Sequence, residues 1–297
     1  LSTLLLRELP EAESSEAVRH IYAEIRRLCG VPMVPLIYRH LATLPGVLEW
    51  AWALVGPAMR AGVMQRAAWE VAARAADVPV ARLPRAALRL IGIDAEGERE
   101  FATLLTAYNR SNPVNLLVLR CLAVHLGGGV AQRASADAAG PVASAIGGAS
   151  EPDWVPPPPI GALVPMADPH SVSEAARAAI MLLNDRGPVA EPSPLWPSLY
   201  RHFASRPPML GLVALLVPPA FAAIDLARAQ VGAQIEVEAG RLAGRLDPPR
   251  DVPLPAAALQ LATLAAIDRF TPVIPEMIVI GSMLARAMPE PASGRGD

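Results

Sequence analysis

Two tripeptides concentrate the side chains best suited to acid–base work, Tyr38-Arg39-His40 and Tyr200-Arg201-His202. Each arginine could clamp a carboxylate and each histidine could take a proton. A motif kept twice at the start of a helix-forming stretch also fits caps and ion pairs, which is the simpler reading. Asn112-Pro113 and Thr271-Pro272 stand at matching points before apolar stretches. That is the pattern of an N-cap residue followed by proline in the first turn. Threonine caps as well as asparagine, so capping alone accounts for the pair. Cys121 and His125 lie four apart and share a helix face. The helix around them is otherwise apolar and no second cysteine completes a redox pair, which favours a buried thiol near a helix-end histidine. Among the carboxylates, Asp185 and Glu191 flank Gly187-Pro188 in a proline-rich stretch that reads as an exposed loop. Glu70, Asp268 and Glu276 stand in helical stretches, and no spacing identifies an acid/base pair unaided.

The elements that position these residues are helices. Ser14-Ser15-Glu16 offers a cap and an acidic first turn before Val18, Ile21, Tyr22 and Ile25 recur at helical spacing, and Gly30-Val31-Pro32 ends the run. Further helices are expected over about 35–44, through Trp50 and Trp52, and over roughly 60–76, 84–91, 95–109 and 113–126. From Gly127 to His170 the chain is rich in Gly, Ala, Ser and Pro, with no helical stripe, and reads as a stiff linker. The stretch beyond it repeats the stretch before it. YRHLATLPGVLEWAWALVGPAM (38–59) lies over YRHFASRPPMLGLVALLVPPAF (200–221) without a gap. Ser15-Glu16-Ala17 matches Ser173-Glu174-Ala175, and Ala102-Thr103-Leu104 matches Ala262-Thr263-Leu264. The expected organisation is a first helical repeat over 1–126, a linker over 127–170 and a second repeat over 171–297. The two repeats pack face to face with any site between them.

Composition narrows the chemistry. Of 297 residues, 53% are hydrophobic but only 4% aromatic, so Ala, Leu and Val must fill an all-α interior. The chain contains no lysine, which excludes a Walker P-loop lysine and a Schiff-base lysine. A net charge of -2 with scattered arginines argues against nucleic acid. Cys29 and Cys121 form neither a disulfide framework nor, with histidine, a metal-ligand cluster, so no metal is expected. Met209 to Ile224 is uncharged but interrupted by Pro218-Pro219, which suits a buried core helix better than a membrane span. The amino-terminal residues lack a basic region before a long apolar run, so a cytoplasmic location is expected.

The internal duplication, the phrase VPMVPLIYRHLATLPGVLEWAW (31–52) and Tyr108-Asn-Arg-Ser-Asn-Pro together resemble the group I, non-stereoselective 2-haloacid dehalogenases of the DehI type. The resemblance implies two helical repeats, related to the AhpD-like helical proteins. It also implies a cofactor-independent hydrolase of short halocarboxylic acids. In that family an Asp of the second repeat activates water, and an Asn of the first repeat holds it. Asn112 matches the family Asn. With Pro207 as anchor the family Asp falls on Leu199, beside Ser198, which matches a family Ser. With Gly187-Pro188 as anchor, Glu191 takes the acidic position. Pocket aromatics of the family correspond to Met33, Leu36 and Ile267. Two functions follow as expectations: a haloacid hydrolase, or a helical protein that binds a small organic acid and has lost the chemistry. The Ala/Leu faces are compatible with a homodimer.

Overall fold

The computed structural model describes residues 7–74, 78–127, 154–184 and 196–290. Within them every regular element is helical. The first half holds α1 (Glu16–Cys29), α2 (Leu36–Leu41), α3 (Val47–Arg60), α4 (Val63–Arg74), α5 (Arg85–Leu90) and α6 (Ala95–Gly127). The second holds α7 (Glu174–Asn184), α8 (Ser198–Ala204), α9 (Pro207–Leu216), α10 (Phe221–Ala243), α11 (Ala257–Phe270) and α12 (Ile274–Ala287).

Local signals set several helix ends. Ser15 caps α1 by accepting from the Val18 N–H at 3.2 Å, and Gly30 closes it in the left-handed conformation at φ 62°. Ser173 accepts from Ala176 in the same way at the start of α7. The buried face of α1 carries Val18, Ile21, Tyr22, Ile25 and Leu28. It is fastened to α3 through Glu24, which accepts from Trp52 Nε1 at 2.8 Å and from Arg60 at 2.9 and 2.7 Å. The hydrogen bonds from Arg60 hold the Glu24 carboxyl down to about 2.

The helix expected to begin at Pro113 does not begin there. α6 runs unbroken for 33 residues through Asn112-Pro113, so Asn112 is an interior residue and caps nothing. Proline removes the N–H that would have reached Asn109, a loss of about 3 kcal/mol in an isolated helix. Here α6 is enclosed by α4, α10, α11 and α12, and its residues 111–119 are all buried. Packing on all sides outweighs the local break. Asn109 secures one of these contacts by donating Nδ2–H to the Gly281 carbonyl at 3.1 Å. A Cβ on Gly281 would come within 2.3 Å of Asn109 Oδ1, so a larger residue at this crossing of α6 and α12 would displace the Asn109 side chain. Thr271 is likewise no N-cap: its N–H bonds to the Ile267 carbonyl at 2.9 Å and ends α11, while α12 starts at Ile274 with Pro275 in its first turn.

Residues 154–168 have no helical structure, as expected of the proline-rich segment, but they are not a free spacer. They form a strap laid over both halves. Trp154 packs on Trp69 with ring centroids 6.2 Å apart and on the Arg66 guanidinium. Its ring fills the space over Gly62, where a Cβ would approach to 2.1 Å. Arg110 Nη1 donates to the carbonyls of Gly30 (3.0 Å) and Pro158 (2.8 Å). Farther on, the Ala167 N–H donates to the Arg201 carbonyl at 2.9 Å.

The apolar run from Met209 to Ile224 is buried on one side only. Met209, Leu210, Leu212 and Val213 face the core, whereas Leu215 is 75% exposed. Two stretches, Pro207–Ala243 and Ala257–Ala287, are long and apolar enough to cross a membrane by length and composition alone. The first is interrupted by the short turn Pro218–Ala220.

Candidate active site

A cavity of about 570 Å³ opens between the two halves, a volume typical of small-molecule sites. Its most polar wall is one face of α6. Tyr108, Ser111, Asn112 and Asn115 follow at i, i+3, i+4 and i+7, the spacing that stacks side chains along one side of a helix. Ser111 Oγ–H is spent on the Ala107 carbonyl at 2.8 Å. Asn115 is 4% exposed, and its Oδ1 is a buried acceptor with no partner among the described residues. An unpartnered buried acceptor costs about 1–3 kcal/mol, which a donor from a ligand or water would recover.

The opposite wall comes from the start of α8, where Ser198, Leu199 and His202 line the cavity behind Trp196 and Pro197. The strap closes one side with Leu163, Val164 and Met166. Met33, Leu36 and Arg39 close another, and the corner between α11 and α12 supplies Phe270, Val273, Ile274 and Met277. The rim holds Glu11 and Arg26 in a two-point ion pair at 2.6 and 2.9 Å. That pairing keeps the Glu11 carboxyl below the usual carboxylate range. Arg39 is paired with Glu8 at 2.9 Å.

Burial governs the titratable groups inside. The Tyr108 hydroxyl is driven well above its ordinary value by desolvation, opposed by its hydrogen bond with Ser198. His202 is pushed down to about 4 by burial, opposed by its hydrogen bond to the Val164 carbonyl at 2.6 Å. Because a carbonyl only accepts, the ring proton of neutral His202 sits on Nδ1 and the lone pair on Nε2. Cys29 and Cys121 are pushed up to about 12 by burial, as inert thiols should be, and His125 Nε2 lies 3.0 Å from the Ala243 carbonyl. No cluster of metal-ligating side chains occurs among the described residues.

Of the residues singled out from the sequence, Asn112, Met33, Leu36, Ser198 and Leu199 meet at this cavity. Ile267 is fully buried in α11 behind it, and Phe270, one turn later, forms the wall. Glu191, like Asp185, lies outside the described residues. Asp268 is exposed, and Glu276 pairs with Arg228 at 3.4 Å.

The two Tyr-Arg-His triplets do equivalent structural work. The Leu9 N–H donates to the Arg39 carbonyl at 3.0 Å, as Ala167 does to Arg201. His40 Nδ1 meets the Arg7 carbonyl at 2.8 Å, as His202 Nδ1 meets Val164. Each triplet thus ties down the extended segment that precedes its half. His202 alone of the two histidines also faces the cavity. Sequence reasoning weighed it as a base and preferred the scaffold reading, and it passed over Asn115, whose signal was a second amide three residues beyond Asn112 in an otherwise apolar run.

Neither a protein-family model nor a curated protein sequence matches the chain. Solved structures do. A mutant D-2-haloacid dehalogenase superposes with a TM-score of 0.71 at 17% identity, covering 97% of each chain. A complex of such a mutant with D-2-CPA gives 0.68 at 17% identity, again over 97% of each chain. A complex of D-2-haloacid dehalogenase with L-LA gives 0.69 at 16% identity over the same share of both chains. The chain therefore has the all-α fold of these proteins over nearly its whole length.

Proposed function

We propose that this protein is a cofactor-independent, hydrolytic dehalogenase that replaces the halogen of short 2-haloalkanoic acids by direct attack of a cavity-bound water. The observation that carries the reading is Asn112. It occupies the position of the water-holding Asn in the resemblance, it lines the cavity, and, buried mid-helix, it has no capping duty to explain it. The shared fold with D-2-haloacid dehalogenases supports the same reading. The apolar walls suit the carbon chain and halogen of the acid. For the proton acceptor, the sequence alignment offers Glu191. The parallel contacts of the two Tyr-Arg-His triplets and the twin serine caps support an origin by duplication of one helical unit. In this reading the enzyme is cytoplasmic, with a homodimer as its assembly.

The test is halide release from D- and L-2-chloropropionate. The wild-type protein releases halide, and Asn112→Ala lowers the rate about a hundredfold, the cost of removing one polar group that positions a reacting atom. Leu199 favours a second reading. An apolar residue with no exposure occupies one aligned position of the family Asp, as in a protein that binds the acid without hydrolysing it. Binding of 2-chloropropionate with no halide from either enantiomer would select that reading.

A further inference from the structure

We infer that His202, in place of the Glu191 that the alignment offers, is the proton acceptor of this cavity, standing one helical turn beyond the leucine at one aligned position of the expected carboxylate. The inference rests on the dehalogenase reading. α8 turns Leu199 and His202 to one side, and both line the cavity. The imidazole is 6% exposed and is oriented from two directions. Its Nδ1–H donates to the Val164 carbonyl at 2.6 Å, and its ring meets that of Tyr108 at 71°, with centroids 5.7 Å apart. The carbonyl fixes the tautomer, so Nε2 carries the free lone pair. A base held by a third group in this way is the general requirement for proton abstraction at a defined point.

The charged and titratable groups around the ring are Arg201 on its own helix and Tyr108 on α6. Burial keeps the imidazole neutral at physiological pH, with a basicity near that of an ordinary carboxylate. His40 shows that the Nδ1–carbonyl contact is part of the scaffold. What distinguishes His202 is that it lines the cavity, whereas His40 does not.

In the step so assigned, the water oxygen bonds to C2 while the carbon–halogen bond breaks, and halide leaves with the bonding pair. The water proton passes to Nε2, and the imidazolium then returns it to solvent. The products are the 2-hydroxy acid, halide and one proton.

His202→Asn separates the two duties, since its amide N–H replaces Nδ1–H toward Val164 while nothing replaces Nε2. His202→Ala leaves room for imidazole supplied in the buffer. We expect His202→Asn to melt within a few degrees of the wild type yet lose about a hundredfold or more in kcat for halide release. We expect imidazole to restore turnover to His202→Ala, which a purely structural histidine would not allow. Halide release by His202→Asn within about threefold of wild type, or a His202→Ala variant that imidazole leaves inactive, overturns the inference alone. Absence of halide release by the wild-type protein overturns the dehalogenase reading and this inference with it.

Discussion

His202 and Glu24 are both ionisable and both buried, and the fold treats them in opposite ways. It excludes charge from His202, whose pKa falls from 6.5 to about 4. It holds charge on Glu24, whose pKa falls from 4.5 to about 2 through Arg60 and Trp52. Below pH 6.5 the unfolded chain takes up a proton on His202 that the folded chain refuses, so stability drops as pH falls through that window to about 4. Above 6.5 the residue contributes no slope. The full loss is about 3 kcal/mol. Glu24 acts lower down: its contribution is complete above 4.5 and lost as pH approaches 2. Denaturant titrations at a series of pH values should show the upper slope disappear in His202→Asn while the lower one remains. At this scale the sequence pointed to Asn112 and Ser198 through resemblance, and it named His202 as a possible base without telling it from His40. A histidine present in both halves looks like scaffold, and only the tertiary arrangement shows that one of the two has a cavity beside it.

At the scale of elements, the helix ends were readable and the continuity of α6 was not. Ser15, Ser173 and Gly30 act through their own backbone neighbours, so local pattern finds them. Pro113 also signals locally, but the helices enclosing α6 decide the outcome. The docking of residues 154–168 is not legible in the sequence for a related reason. A proline-rich composition describes a stiff extended chain equally well whether it spans open solvent or lies on a surface. Its docking points, Gly62 and Trp69, are distant in sequence. Gly62→Ala tests the strap directly. The substitution strains a backbone at φ 72° and drives a methyl group into Trp154. We expect a loss of about 2–4 kcal/mol in denaturant unfolding and a red shift in tryptophan emission as Trp154 leaves Trp69.

For the whole molecule, the internal repeat suggests two halves without saying how separable they are. α6 answers through its contacts, since a helix of the first half packs mainly on α12 and α10 of the second. Residues 1–127 alone would therefore expose Val114, Leu117 and Val118, all fully buried in the intact fold. We expect that fragment to lack a cooperative unfolding transition, by calorimetry or by near-ultraviolet dichroism.

The strap gives this interdependence a practical form. It is anchored by Trp154 on the first half and by Val164 and Ala167 on the second, so the strap and the helices together join the halves. Fragments 1–127 and 154–297, produced together, should recombine into a split protein with the cavity restored, each piece serving as the folding template of the other.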